Sequence, residues 1–174
     1  MPRSLWAFGD RMTFVLTGEE TAGRAFVMEQ IVPRHTRPPG RHRHVHEDHI
    51  WYVQAGRGRF YVGDQMSEAG PGAILWGPRG VPHAFSADSD ELRVLVMTTP
   101  AGLEAFFEEI GEPARGVGPP PPDWTPPVDD ESAHARRYGI ELLGPQPGWA
   151  PAPAGRSLRL LKVQFPATRP RGRP

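Results

Sequence analysis

The chain has 174 residues, 38% of them hydrophobic, with 20 glycines, 22 prolines and no cysteine. Lys+Arg and Asp+Glu balance at 20 each, which leaves no electrostatic footprint for a nucleic-acid partner. The missing cysteine excludes disulfides, thiolate zinc sites and thiol nucleophiles.

The prolines are unevenly spread: seven precede residue 100, one is Pro100, and fourteen fall from Pro113 to Pro174. A segment so interrupted cannot build a second core, so one domain with an appendage is expected. At the N-terminus Leu5-Trp6-Ala7-Phe8 is shorter than the ~7-residue apolar core of a secretory signal. No run approaches a membrane span. A cytoplasmic protein without membrane or nucleic-acid partners is therefore expected.

Taken in chain order, RAFVMEQIV (24–32) is rich in β-formers and ends at Pro33, predicting a strand followed by a loop. The histidine-rich RHRHVHEDH leads into Ile50, Trp51, Tyr52 and Val53, predicting a strand that stops at Gly56. RFYVGD follows Gly58, so the spacing predicts a hairpin turning at Gly56 to Gly58. Further short strands are expected at Gly72–Trp76, after Pro82, and from Glu91 to Thr99. Such strands, about ten residues apart with Gly or Pro between them, point to an antiparallel sandwich or small barrel.

A helix is expected next, capped by Thr99 with Pro100 in its first position, burying Leu103, Phe106, Phe107 and Ile110 and ending at Gly111. The resulting division is a β-barrel with its closing helix over 1–111 and a Pro-rich linker over 112–128. A short helix and an edge strand (within Ser157 to Phe165) wrap the barrel over 129–165, before a basic disordered tail over 166–174.

His35, His42, His44, His46 and His49 lie within fifteen residues, and His83 opens a separate β-like segment. Imidazole is the commonest transition-metal ligand near neutral pH. Residues two apart on a strand share a face, so His42 and His44 can aim at one ion, and His46 joins them only if the strand runs on unbroken. A turn through Val45 to Asp48 would bring His49 to the same point, with His83 closing from across the barrel. The competing expectation is a solvated histidine-rich loop.

The surrounding spacing resembles the two motifs of the cupin superfamily. His42-Arg43-His44 supplies the first His-X-His, four residues separate it from His49 and six more separate His49 from Gly56; Gly72, Pro78, Gly80 and His83 stand at the positions of the second motif. Thr36, His49 and Ala87 depart from it, standing where the motifs carry glycine, glutamate and asparagine. The resemblance implies an all-β cupin (jelly-roll) fold and one divalent metal, here held by His42, His44, His49 and His83 in a four-histidine variant. Iron, manganese, nickel, copper and zinc all suit such ligands.

Segment order from Gly18 to Pro145 is similar to single-domain cupins akin to quercetin dioxygenases. This implies a metal-dependent dioxygenase acting with O2 on a small aromatic or enolic metabolite, and a homodimer. A non-oxidative cyclase or isomerase of polyketide-like compounds and a non-catalytic ligand-binding cupin are the alternatives. Without a ligand glutamate a proton acceptor must come from elsewhere. Glu47 is the nearest in sequence, the competing expectation being an exposed loop carboxylate. Strand parity places Trp51 beside His49 and Phe85 beside His83. Phe26, Met28, Trp76, Met97 and the helix-borne Phe106 are further candidates for core or substrate-pocket wall.

Overall fold

A computed structural model describes residues 3–34, 40–125, 127, 131–144 and 163–164. His35, Thr36, the predicted strand at 157–162 and the basic tail lie outside the described residues. Short strands occur as β1 (Ser4–Ala7), β2 (Asp10–Leu16), β3 (Phe26–Pro33), β4 (Arg41–His44), β5 (Asp48–Ala55), β6 (Gly58–Val62), β7 (Gln65–Ala69), β8 (Ala73–Gly77), β9 (His83–Ala87) and β10 (Glu91–Thr99). After them come α1 (Leu103–Ile110), β11 (Glu112–Pro113), α2 (Glu131–Arg137), β12 (Ile140–Gly144) and β13 (Val163–Gln164). No described helix is long and apolar enough to cross a membrane.

The strands form two antiparallel sheets, ordered β11-β1-β2-β3-β10-β5-β8-β13 and β12-β4-β9-β6-β7. Alternation drives their packing: along β5 the side chains of His49, Trp51 and Val53 are buried, and along β10 those of Leu92, Val94, Val96 and Thr98. The inward faces of both sheets meet in one core, which α1 closes with Leu103, Phe106, Phe107 and Ile110. The helical stripe read from the sequence is therefore the buried one.

Several local expectations are corrected. Gly56 to Gly58 is not a hairpin, because β5 pairs with β8 and β10 whereas β6 pairs with β7 and β9. The chain crosses there between sheets, and Gly56 (φ +75°) allows it, since a Cβ would lie 2.1 Å from the Glu91 carbonyl oxygen. The true hairpin is β6–β7, where Val62 faces Gln65 across Gly63-Asp64. Helix α1 begins at Leu103 with Gly102 as its cap residue, so Thr99 ends β10 instead and Pro100 lies in the intervening turn.

Ser4–Leu16 supplies two strands that the sequence pattern did not flag, and Glu112–Pro113, expected as linker, pairs with β1. Within 129–165, helix α2 appears close to its expected place. The main strand is β12, earlier than the expected edge strand, which is represented by the two residues of β13.

Candidate metal centre and pocket

Strand β4 alternates Arg41 and Arg43 with His42 and His44, and the burial alternates with it, so both imidazoles face inward. The chain then turns through Val45 to Glu47 and enters β5, which delivers His49 on its inner face. His83 opens β9 directly opposite His42. Two links fix these segments together. Arg79, in the loop before β9, donates its backbone N–H (2.8 Å) and guanidinium (3.1 Å) to Asp48 at the start of β5, and the Gly80 N–H donates to the His44 carbonyl (2.7 Å). The arginine contacts hold the Asp48 carboxyl below its ordinary range.

His42, His44 and His83 each offer a ring nitrogen within 4.8 Å of the others. His49 stands beside them, its ring centroid 4.1 Å from that of His44 and 4.9 Å from that of His83. His42 Nδ1 lies 2.8 Å from the Gly40 carbonyl and His83 Nδ1 3.1 Å from the Val81 carbonyl, so each donates from Nδ1 and leaves an Nε2 lone pair available. Neither nitrogen of His44, nor the Nε2 of His49 or His83, has a hydrogen-bond partner, although all are buried.

Buried polar atoms without partners are rare in proteins, and unpartnered nitrogens on three neighbouring imidazoles, His44, His49 and His83, fit a site built for a cation. Burial, reinforced by neighbouring imidazoles, drives His44, His49 and His83 well below their ordinary 6.5. Burial also lowers His42, partly opposed by its bond to Gly40. The rings are thus neutral near pH 7, the form in which imidazole binds a metal.

Glu47 is buried, not an exposed loop carboxylate, and burial raises its carboxyl above the ordinary range. Its Oε2 lies 3.4 Å from His44 Nδ1, and it does not line the pocket. The turn after β4 folds it beside His44. His46 is exposed, lying against Gly139, where a Cβ would meet it at 2.6 Å.

A pocket opens on His42, His44 and His49, while His83 is fully enclosed and does not reach its wall. From the predicted set, Met28, Trp51, Phe85 and Phe106 line it. Gly77 makes room for Trp51, because a Cβ there would come within 2.6 Å of the indole.

Three expected wall residues are placed elsewhere. Phe26 is core, packed on Phe14 and Phe107 at ring distances of 4.9 and 6.5 Å. Trp76 and Met97 lie on the outer face of the large sheet, 43% and 39% exposed, because each is paired with the outward-facing Ile50 while their neighbours Leu75 and Val96 take the inner positions opposite Trp51.

Unanticipated wall residues include Phe8 from the turn between β1 and β2, Met12 from β2, Gln30 from β3, and Ile140 and Leu142 from β12. Only Gln30 left a signal in the sequence, as the polar residue in the inward series Phe26, Met28, Gln30, Val32.

Residues 27–99 match the family model for the cupin domain. A 54-residue stretch is 35% identical to an uncharacterized protein of Streptomyces coelicolor, covering 31% of this chain and about half (51%) of that relative. A predicted oxalate decarboxylase from Thermotoga maritima superposes with a TM-score of 0.52 at 19% identity, over 57% of this chain and 92% of that one. KdgF from Halomonas sp. gives 0.50 at 18%, over 56% and 85%, and a variant of Bacillus subtilis oxalate decarboxylase 0.50 at 18%, over 57% and 28%. At these identities the structures speak for fold alone. The chain has an all-β cupin fold, of which residues 27–99 match the cupin domain model, with three histidines grouped so that they could hold a metal ion.

Proposed function

We propose that this protein is a metal-dependent oxygenase acting on a small aromatic or enolic metabolite, with O2 as co-substrate. One observation carries the proposal: buried imidazole nitrogens without partners face a pocket walled by aromatic and aliphatic side chains. His42, His44 and His83 would hold one divalent transition ion, with His49 as the fourth ligand. Such an ion supplies Lewis acidity and, where it is redox-active, access to O2.

The protein's own groups narrow the substrate. Four neutral imidazoles bring no negative charge, so the site favours an anionic oxygen such as an enolate or phenolate. Among the described residues no carboxylate lines the pocket, which suits a substrate acidic enough to lose its own proton. Trp51, Phe85 and Phe106 offer flat apolar surface to a ring and keep water from the reacting end. Glu47, with its Oε2 3.4 Å from His44 Nδ1, stands where carboxylates commonly support metal-binding histidines.

The test is oxygen uptake by metal-loaded protein against flavonols, enediols and polyhydroxylated aromatics. O2 consumption should match substrate loss and vanish in His42→Ala and His83→Ala. Turnover that proceeds equally under nitrogen would replace the oxygenase with a non-oxidative cyclase or isomerase, and binding without turnover would leave a ligand-binding cupin. His49→Glu, which swaps a neutral ligand for a charged one, should alter metal preference and activity. Unchanged behaviour would remove His49 from the ligand set.

A further inference from the structure

The pocket wall contains one polar group that the metal centre does not use. Gln30 is 3% exposed, faces inward from β3 between Met28 and Val32, and lines the pocket. Its Nε2 donates to Oδ2 of Asp10 at 2.7 Å, and Asp10 is wholly buried at the start of β2. Withdrawing an amide and a carboxylate from water costs several kcal/mol unless hydrogen bonds replace the lost hydration. An apolar residue at position 30 would extend the otherwise apolar inward series of β3. Gln30 instead places a polar group at a wall where a ligand would touch it, with Asp10 buried beside it.

Asp10 also sets the amide's direction. A carboxylate accepts only, so it holds the Gln30 nitrogen toward itself and turns the amide oxygen away from Asp10. Sheet register gives the separation. His49 shares a row with Thr98 and Phe26, Trp51 with Val96 and Met28, and Val53 with Val94 and Gln30. Gln30 is therefore two inward rows from His49, about 13 Å along the strands at ~3.4 Å per residue, with the apolar Trp51, Val96 and Met28 between.

We propose that Gln30, held by Asp10, is the specificity-determining acceptor for a hydroxyl at the substrate end remote from the histidines. The substrate class is then an elongated, flat, apolar body with an ionisable oxygen at one end and a hydrogen-bond donor at the other. This deepens the function proposed above and rests on the histidines receiving the first end.

A matched pair of probes tests it. Binding of 4,4′-dihydroxybiphenyl and 4-hydroxybiphenyl to the metal-loaded full chain is measured by calorimetry, alongside metal content. The wild-type protein should prefer the dihydroxy compound by roughly tenfold, the worth of one buried hydrogen bond. Gln30→Met should erase that preference at unchanged metal content. Asp10→Asn, which frees the amide to rotate, should reduce it while keeping a polar group in place. A preference that survives Gln30→Met, or a wild-type protein that does not discriminate, binding of neither probe included, overturns the assignment. Failure of the metal reading shows separately, as metal content near zero with both probes bound equally with and without added metal, while the ratio between probes still reports on Gln30.

Discussion

Strands β5 and β4 both deliver histidines to one centre, yet they are held very differently. β5 is bonded along its length by β10 on one side and β8 on the other, and its inner face is packed under Trp51. β4 pairs with β9 only through His42 and His83, and its longer pairing is with β12, from Ile140 opposite His44 to Leu142 opposite His42. The segment carrying β12 is anchored through α2. There Glu109 of α1 accepts from His134 (2.6 Å), Arg137 and Tyr138 (2.7 Å), and the Arg43 guanidinium of β4 reaches Glu141 at 2.7 Å. The histidine centre thus has one half built into the barrel and one half steadied by a strap from the proline-rich third of the chain. That strap also covers the pocket with Ile140 and Leu142.

Damage to the barrel half should be the most severe. Trp51 is 2% exposed and touches His49, His83, Phe60 and Phe85, so Trp51→Ala should cost about 3–5 kcal/mol in denaturant unfolding. The strap half should yield differently. Ile140→Ala, about 2–4 kcal/mol by the same cavity argument, should speed amide hydrogen exchange across Arg41–His44 while β5 stays protected. Equal loosening of both strands would erase the distinction between the halves.

Protonation sharpens the comparison further. Burial holds all four imidazoles below 6.5, so below that pH the unfolded chain binds more protons than the folded one, and stability falls with falling pH. The metal-free protein should lose melting temperature steadily from pH 7 to pH 5. Replacing His44 and His83 by glutamine should flatten that loss, and an unchanged slope would place the acid sensitivity elsewhere. The smallest effect belongs to the outer face: Met97→Gln should stay within about 0.5 kcal/mol of wild type and leave metal content untouched.

The barrel half was far more legible in the sequence than the strap. Period-two alternation exposes His42/His44 and His49/Trp51/Val53 as inward sets, and the glycine and proline spacing around Gly72, Pro78 and Gly80 marks the turn that returns His83. Alternation does not say which of two opposite sets faces in when both are apolar. That is why Trp76 and Met97 passed for pocket wall beside Leu75 and Val96. It is equally silent on partners, so a Gly56–Gly58 hairpin and a crossing between sheets look alike until the pairing is known.

The strap was hidden for another reason. IELLG is only five residues long and sits among prolines, and its role comes from pairing with a strand about a hundred residues earlier, a contact that no local pattern records. Glu47 is similar: a carboxylate in a polar turn reads as solvated, and only the tertiary fold buries it beside His44.

The most direct test of a metal centre is elemental analysis of protein purified without a histidine tag. About one transition-metal ion per chain is expected, falling toward zero in His42→Ala, His44→Ala and His83→Ala, each checked for folding. Metal content near zero in the folded wild-type protein, unrestored by added metal, would contradict it.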